Sequence, residues 1–182
     1  MTKLYRLVPV LALMAMTACD GTTTTEEDRL GTFNMTISGD ISATLEGDAV
    51  WGETTDPDTN ETVWLLWMAT PEEATDDYFL WIARMGSRPG SGSYAIQNIQ
   101  TESFDPGEIG AFLSGTPSGT SISMLSISGT LTVSSSSGDN MTGTFSIDLD
   151  GQIFSNNQAT DAVATVTGSF DAPNGVVDFP VF

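Results

Sequence analysis

Hydrophobic and polar side chains alternate along most of this chain with a period of two, the period of β-strands. Phe33, Met35 and Ile37 fall on one face while Thr32, Asn34, Thr36 and Ser38 fall on the other. Ile41, Ala43 and Leu45 repeat the rhythm against Ser42 and Thr44, as do Leu131 and Val133 against Thr130, Thr132 and Ser134. Phe145, Ile147 and Leu149 alternate with Thr144, Ser146 and Asp148. Ala162, Ala164, Val166 and Phe170 alternate with Val163, Thr165, Thr167 and Ser169. Turn-forming groups punctuate these runs at Ser38-Gly39-Asp40, Pro89-Gly90-Ser91-Gly92, Ser128-Gly129, Ser137-Gly138-Asp139-Asn140 and Pro173-Asn174-Gly175. The pattern predicts one all-β domain over residues 31–182, built as a single antiparallel β-sandwich or a flattened meandering barrel.

Two neighbouring stretches abandon the alternation. Val63-Trp64-Leu65-Leu66-Trp67-Met68-Ala69 and Tyr78-Phe79-Leu80-Trp81-Ile82-Ala83 are apolar on both faces, and the polar segment 70–77 between them predicts a hairpin. A strand apolar on both faces has to be covered on both, because large exposed apolar patches are rare on soluble monomers. The cover can come from the chain itself, through the tail Val176-Val177-Asp178-Phe179-Pro180-Val181-Phe182 or the segment 109–113. It can also come from outside, as an envelope protein, a glycan or an apolar ligand, with Trp64, Trp67 and Trp81 as the contact residues.

The N-terminus has a different character. Lys3 and Arg6 precede an apolar run over residues 7–16, followed by Thr17, Ala18 and Cys19. A run of this length suits a signal-peptide core and falls short of the roughly 20 residues that span a bilayer. Met16-Thr17-Ala18-Cys19 resembles the lipobox of bacterial lipoproteins, with methionine where leucine is usual. That resemblance implies a signal peptide over 1–18, lipid (palmitate-type acylation) on Cys19, and attachment to a membrane outside the cytoplasm, in the bacterial cell envelope. Residues 19–30, with Thr22-Thr23-Thr24-Thr25 and Glu26-Glu27-Asp28, then read as an acidic, Thr-rich tether.

Charge and composition narrow the chemistry. The chain of 182 residues carries 24 acidic and 5 basic residues, a formal charge of -19, with one cysteine and no histidine. Phosphate backbones repel such a surface, which argues against nucleic-acid partners. Without histidine there is no Ser–His–Asp triad and no His–Cys zinc site. Dispersed carboxylates keep a secreted surface hydrated, and acid-rich, lysine-poor composition also suits salty surroundings, where screening weakens self-repulsion. Asp56, Asp58 and Asn60 place oxygen ligands at alternating positions, as calcium loops do, so calcium is the candidate metal. The EF-hand glycine and terminal glutamate are missing, and the same residues are ordinary turn formers.

The expectation is therefore a lipid-anchored envelope protein that is not an enzyme and needs no cofactor, acting as a binding or scaffolding module through its tryptophan hairpin. A calcium-dependent or glycan-binding module using the Asp56 loop is the alternative reading, and a small hydrolase built on paired carboxylates is a third.

Overall fold

The alternating segments pair edge to edge, all antiparallel, as β1 (Gly31–Gly39), β2 (Ala43–Thr55), β3 (Thr62–Ala69), β4 (Tyr78–Met85), β5 (Gly92–Ile96), β6 (Ile109–Gly115), β7 (Ser121–Ser137), β8 (Asn140–Ser155) and β9 (Gln158–Pro173). The computed structural model describes residues 30–56, 60–72, 74–100, 105–156 and 158–175. The expected signal peptide, the lipid site Cys19, nearly all of the tether, Asp58 and the tail 176–182 lie outside the described residues.

The strand order is β5-β7-β6-β4-β3-β2-β1-β9-β8, and β8 pairs again with β7. That last pairing closes the sheet. The result is an up-and-down barrel in which each wall strand lies beside its neighbour in sequence, apart from β5. β5 is an excursion between β4 and β6 that pairs with the far half of β7, from Gly92↔Val133 to Ile96↔Gly129. β6 takes the near half, from Phe112↔Leu125 to Gly115↔Ile122. Closure leaves almost no unpaired strand edge to template association.

Ser128-Gly129, expected to be a turn, instead lies within β7. The register to β8 slips between Ser126 and Ser128, and Gly129 has φ 157°. This bulge lets one long strand serve two partners on the same side. Ser126, fully buried there, joins the split: its Oγ donates to Gln97 O at 2.8 Å and accepts from Ala111 N–H at 3.0 Å. The segment 109–113, expected as a cover over the hairpin, joins the sheet as β6 beside β4, with Trp81↔Phe112 and Leu80↔Leu113 in register. Edge pairing satisfies its backbone groups as a lid could not.

Inside, the barrel is filled. Phe33, Met35, Ile37, Trp51, Trp64, Leu66, Met68, Leu80, Ile82, Leu113, Met124, Leu131, Ile147 and Leu149 belong to one apolar cluster. Three phenylalanines fold over cross-strand glycines: Phe33↔Gly47, Phe145↔Gly168 and Phe170↔Gly143. A Cβ on Gly168 would stand 2.6 Å from Phe145 Cζ, and one on Gly143 would stand 2.8 Å from Phe170 Cζ. The missing side chains make room for the rings and let a narrow barrel close.

Outside, the wall is divided. β1, β8 and β9 present Thr36, Asn34, Thr144, Ser146, Asp148, Thr167 and Ser169 to solvent, while β3 and β4 present large apolar groups. A membrane-spanning barrel is built the other way, polar within and apolar around.

The β3–β4 hairpin is latched by Thr70. Its N–H donates to Tyr78 O at 3.0 Å, and its Oγ1 accepts from Tyr78 N–H at 2.9 Å. Burial, with the Asp76 carboxylate adding to it, pushes the Tyr78 phenol above its ordinary value of 10.0. The fold holds this phenol neutral, so on raising the pH the unfolded chain loses the proton first. Stability is therefore insensitive to this group below pH 10 and falls as the pH climbs through and beyond it. Denaturant melts between pH 8 and 11 are expected to show a steeper loss in the native chain than in Tyr78→Phe; equal slopes would remove Tyr78 as the cause.

Candidate functional site

Register decides which face of the hairpin each tryptophan occupies. Trp64, Leu66 and Met68 belong to the barrel core, so Leu65 and Trp67 point outward. Trp64 is 0% exposed. It is a core residue and drops out of the expected contact surface, because its place in the alternation turns the ring inward. Trp67 and Trp81 remain outside, directly opposite one another and half-buried.

They stand in a longer row. The pairs Val50↔Trp67, Trp67↔Trp81, Trp81↔Phe112 and Phe112↔Leu125 run in register across β2, β3, β4, β6 and β7. Phe79, one pair further along β4, stacks on Trp67 with ring centroids 5.1 Å apart and planes 9° from parallel. Phe112 tilts against both Phe79 and Trp81, at 5.7 Å and 5.6 Å. Such pairs contribute about 0.5–1.5 kcal/mol each beyond their buried area. Leu65 and Ala83, opposite one another on this face, are buried although neither belongs to the interior cluster. The outer wall therefore carries an apolar, aromatic band across half the barrel, beside a Ser/Thr/Asp half.

The candidate calcium residues sit at the β2–β3 connection, the end at which the chain arrives from the tether. Asn60 N–H donates to Asp56 O at 2.8 Å, and Asp56 N–H donates to Glu61 O at 2.9 Å. Asn60 has φ 58°, a left-handed conformation that asparagine tolerates. These are the bonds of a tight turn. Among the described residues, no group of three or more Asp, Glu, His or Cys side chains converges as a metal site.

The same end holds residues that sequence reasoning passes over. Arg84 and Arg88 are the only basic residues after Arg29. Arg84 Nη1 donates to Ser87 O at 2.7 Å, and its guanidinium lies 5.9 Å from the Tyr94 ring centroid. Arg88 lies 4.7 Å over Trp51, its N–H donates to Glu53 Oε1 at 2.7 Å, and its Nη1 donates to Gly138 O at 2.9 Å. The sequence does carry a signal for them: two arginines four residues apart in an otherwise acidic domain.

No family model matches the chain, and neither does any curated protein or solved structure. Among the described residues, no helix is long and apolar enough to cross a membrane.

Proposed function

We propose that this chain is a lipid-anchored protein of the bacterial cell envelope, held outside the cytoplasm by Cys19, whose barrel is a non-catalytic binding or scaffolding module. The contact surface is the outward band centred on Trp67, Phe79 and Trp81. One observation carries the reading: the unbroken row Val50–Trp67–Trp81–Phe112–Leu125 on the outer wall. Outward aromatic groups clustered in this way are the residues that most often dominate binding energy, and the polar half of the wall keeps the rest of the domain in water. The partner is an envelope protein or glycan.

Two measurements on the full chain in its own host test this. Mass spectrometry of the mature N-terminal peptide is expected to show the lipid on Cys19 and to lose it in Cys19→Ser. A photo-crosslinking residue at position 67 is expected to capture an envelope component, and one at Thr144 on the polar wall to capture none. Trp81→Ser should weaken that capture about 30-fold, the effect of losing one dominant aromatic contact. Equal capture from both positions, or from neither, removes the band as a binding surface.

A further inference from the structure

The tether-side mouth of the barrel gathers hydrogen-bond donors beyond its acceptors. Glu53, Trp64 and Arg84 lie opposite one another across β2, β3 and β4, as Glu53↔Trp64 and Trp64↔Arg84. Trp51 is two residues before Glu53 on β2, and Arg88 lies over its ring. The indole Nε1–H groups of Trp51 and Trp64 are both buried, and neither has a hydrogen-bond partner among the described residues. Trp51 is 5% exposed and Trp64 0%, so bulk water does not serve them. A buried donor left without an acceptor costs about 1–3 kcal/mol, and two beside each other require an explanation. The two guanidiniums of the domain stand over the same place, and each directs only part of its five N–H groups to backbone carbonyls. The one carboxylate in the group, Glu53, already accepts from Arg88 N–H.

From this arrangement we infer that the mouth binds a small oxyanion, a carboxylate or phosphate, received by Arg84 and Arg88 and by the indole N–H groups of Trp51 and Trp64. Charge-assisted bonds from guanidinium to oxyanion are among the strongest available, and aromatic rings beneath the guanidiniums hold their planes in place. In a chain of formal charge -19, this is the one end of the domain that attracts an anion. The ion can be free in solution or carried on a phospholipid headgroup, since the tether reaches the barrel at this end. The headgroup source rests on the lipid-anchor reading; the free-ion source does not.

The test is an indole ¹H–¹⁵N spectrum of the full chain, assigned by Trp→Phe variants. The chain contains four tryptophans, so four resonances report at once. Sodium phosphate and sodium acetate, each against sodium chloride at equal ionic strength, are expected to shift Trp51 and Trp64 saturably and leave Trp67 and Trp81 in place. Arg88→Gln and Arg84→Gln should each weaken the response about tenfold or more, and Glu53→Gln should strengthen it by removing a competing negative charge. Unmoved Trp67 and Trp81 resonances certify that each variant is folded. In a second arm without free phosphate, the chain is placed in nanodiscs of phosphatidylglycerol or phosphatidylcholine. A response to phosphatidylglycerol alone, absent with free phosphate, assigns the ion to the headgroup. No Trp51 or Trp64 shift in either arm, or a shift that survives both arginine substitutions, overturns the site and leaves the two indoles to buried water.

Discussion

Trp64→Ala is expected to lower stability by about 3–5 kcal/mol, the range for deleting a fully buried large aromatic side chain. For a domain of this size the melting temperature should fall by roughly 6–20 °C. The substitution removes an indole that is 0% exposed and packed in the interior cluster of the barrel. Its surroundings are pinned by ladder pairing to Glu53 on one side and Arg84 on the other, so the wall cannot collapse into the space. Trp67→Ala, three residues along the same strand, removes a ring of the same size from the outer wall. There the loss is the stacking on Phe79 and part of the buried area, with no internal cavity, so the cost should be clearly smaller. Equilibrium urea unfolding of the two variants compares them directly. Equal costs would contradict the assignment of one ring to the inside and the other to the outside.

The second large effect concerns the seam where the barrel closes. Gly168→Val places a branched side chain where even a Cβ stands 2.6 Å from Phe145 Cζ and 2.9 Å from Met35 Cβ. Overpacking of this kind typically costs about 1–3 kcal/mol, and more where backbone has to move. Here it does, because the same Cβ stands 2.5 Å from Asn34 O on the neighbouring β1. Phe145→Ala alone is expected to cost about 3–5 kcal/mol through the void it leaves. Since the two positions face each other, as Phe145↔Gly168, the double variant should be less damaged than the sum of the singles. The valine occupies part of the space the ring vacates, and the coupling should lie in the range of about 0.5–3 kcal/mol. Strict additivity in a thermal-denaturation cycle would mean that the ring does not fold over the glycine. The reciprocal pair Phe170↔Gly143 offers an internal repeat of the same experiment.

Much of the strand content is legible in the alternation of side chains, for a definite reason. Where one face is apolar and the other is Ser, Thr or Asp, period two has a single interpretation, and Phe33–Met35–Ile37 and Phe145–Ile147–Leu149 face the interior as the alternation requires. The hairpin is legible because its two apolar segments are separated by one polar connection, and β3 and β4 do pair. The orientation of its tryptophans is hidden because both faces of these strands are apolar, and a shift of one residue would exchange the inner and outer sets. Ser128-Gly129 misleads for a related reason: glycine beside serine marks a turn and a bulge equally well, and only the partner strands distinguish them. β5 and the arginine end are hidden because they depend on which strands lie opposite, which no local pattern records.

Local pattern thus specifies an antiparallel all-β domain, the alternating core of β1, β8 and β9, and the positions of most turns, because these follow from side-chain period and turn chemistry over a few residues. Closure of the sheet, with β8 returning to β7 and β1 meeting β9, belongs to long-range pairing alone. So do the inward turn of Trp64, the outward turn of Trp67 and Trp81, and the gathering of Arg84, Arg88, Trp51 and Trp64 at one end. These depend on pairings between residues well over a hundred positions apart in the chain, such as Thr32↔Asp171. Register between strands is set by how all the walls share one interior volume, and that is a property of the closed barrel.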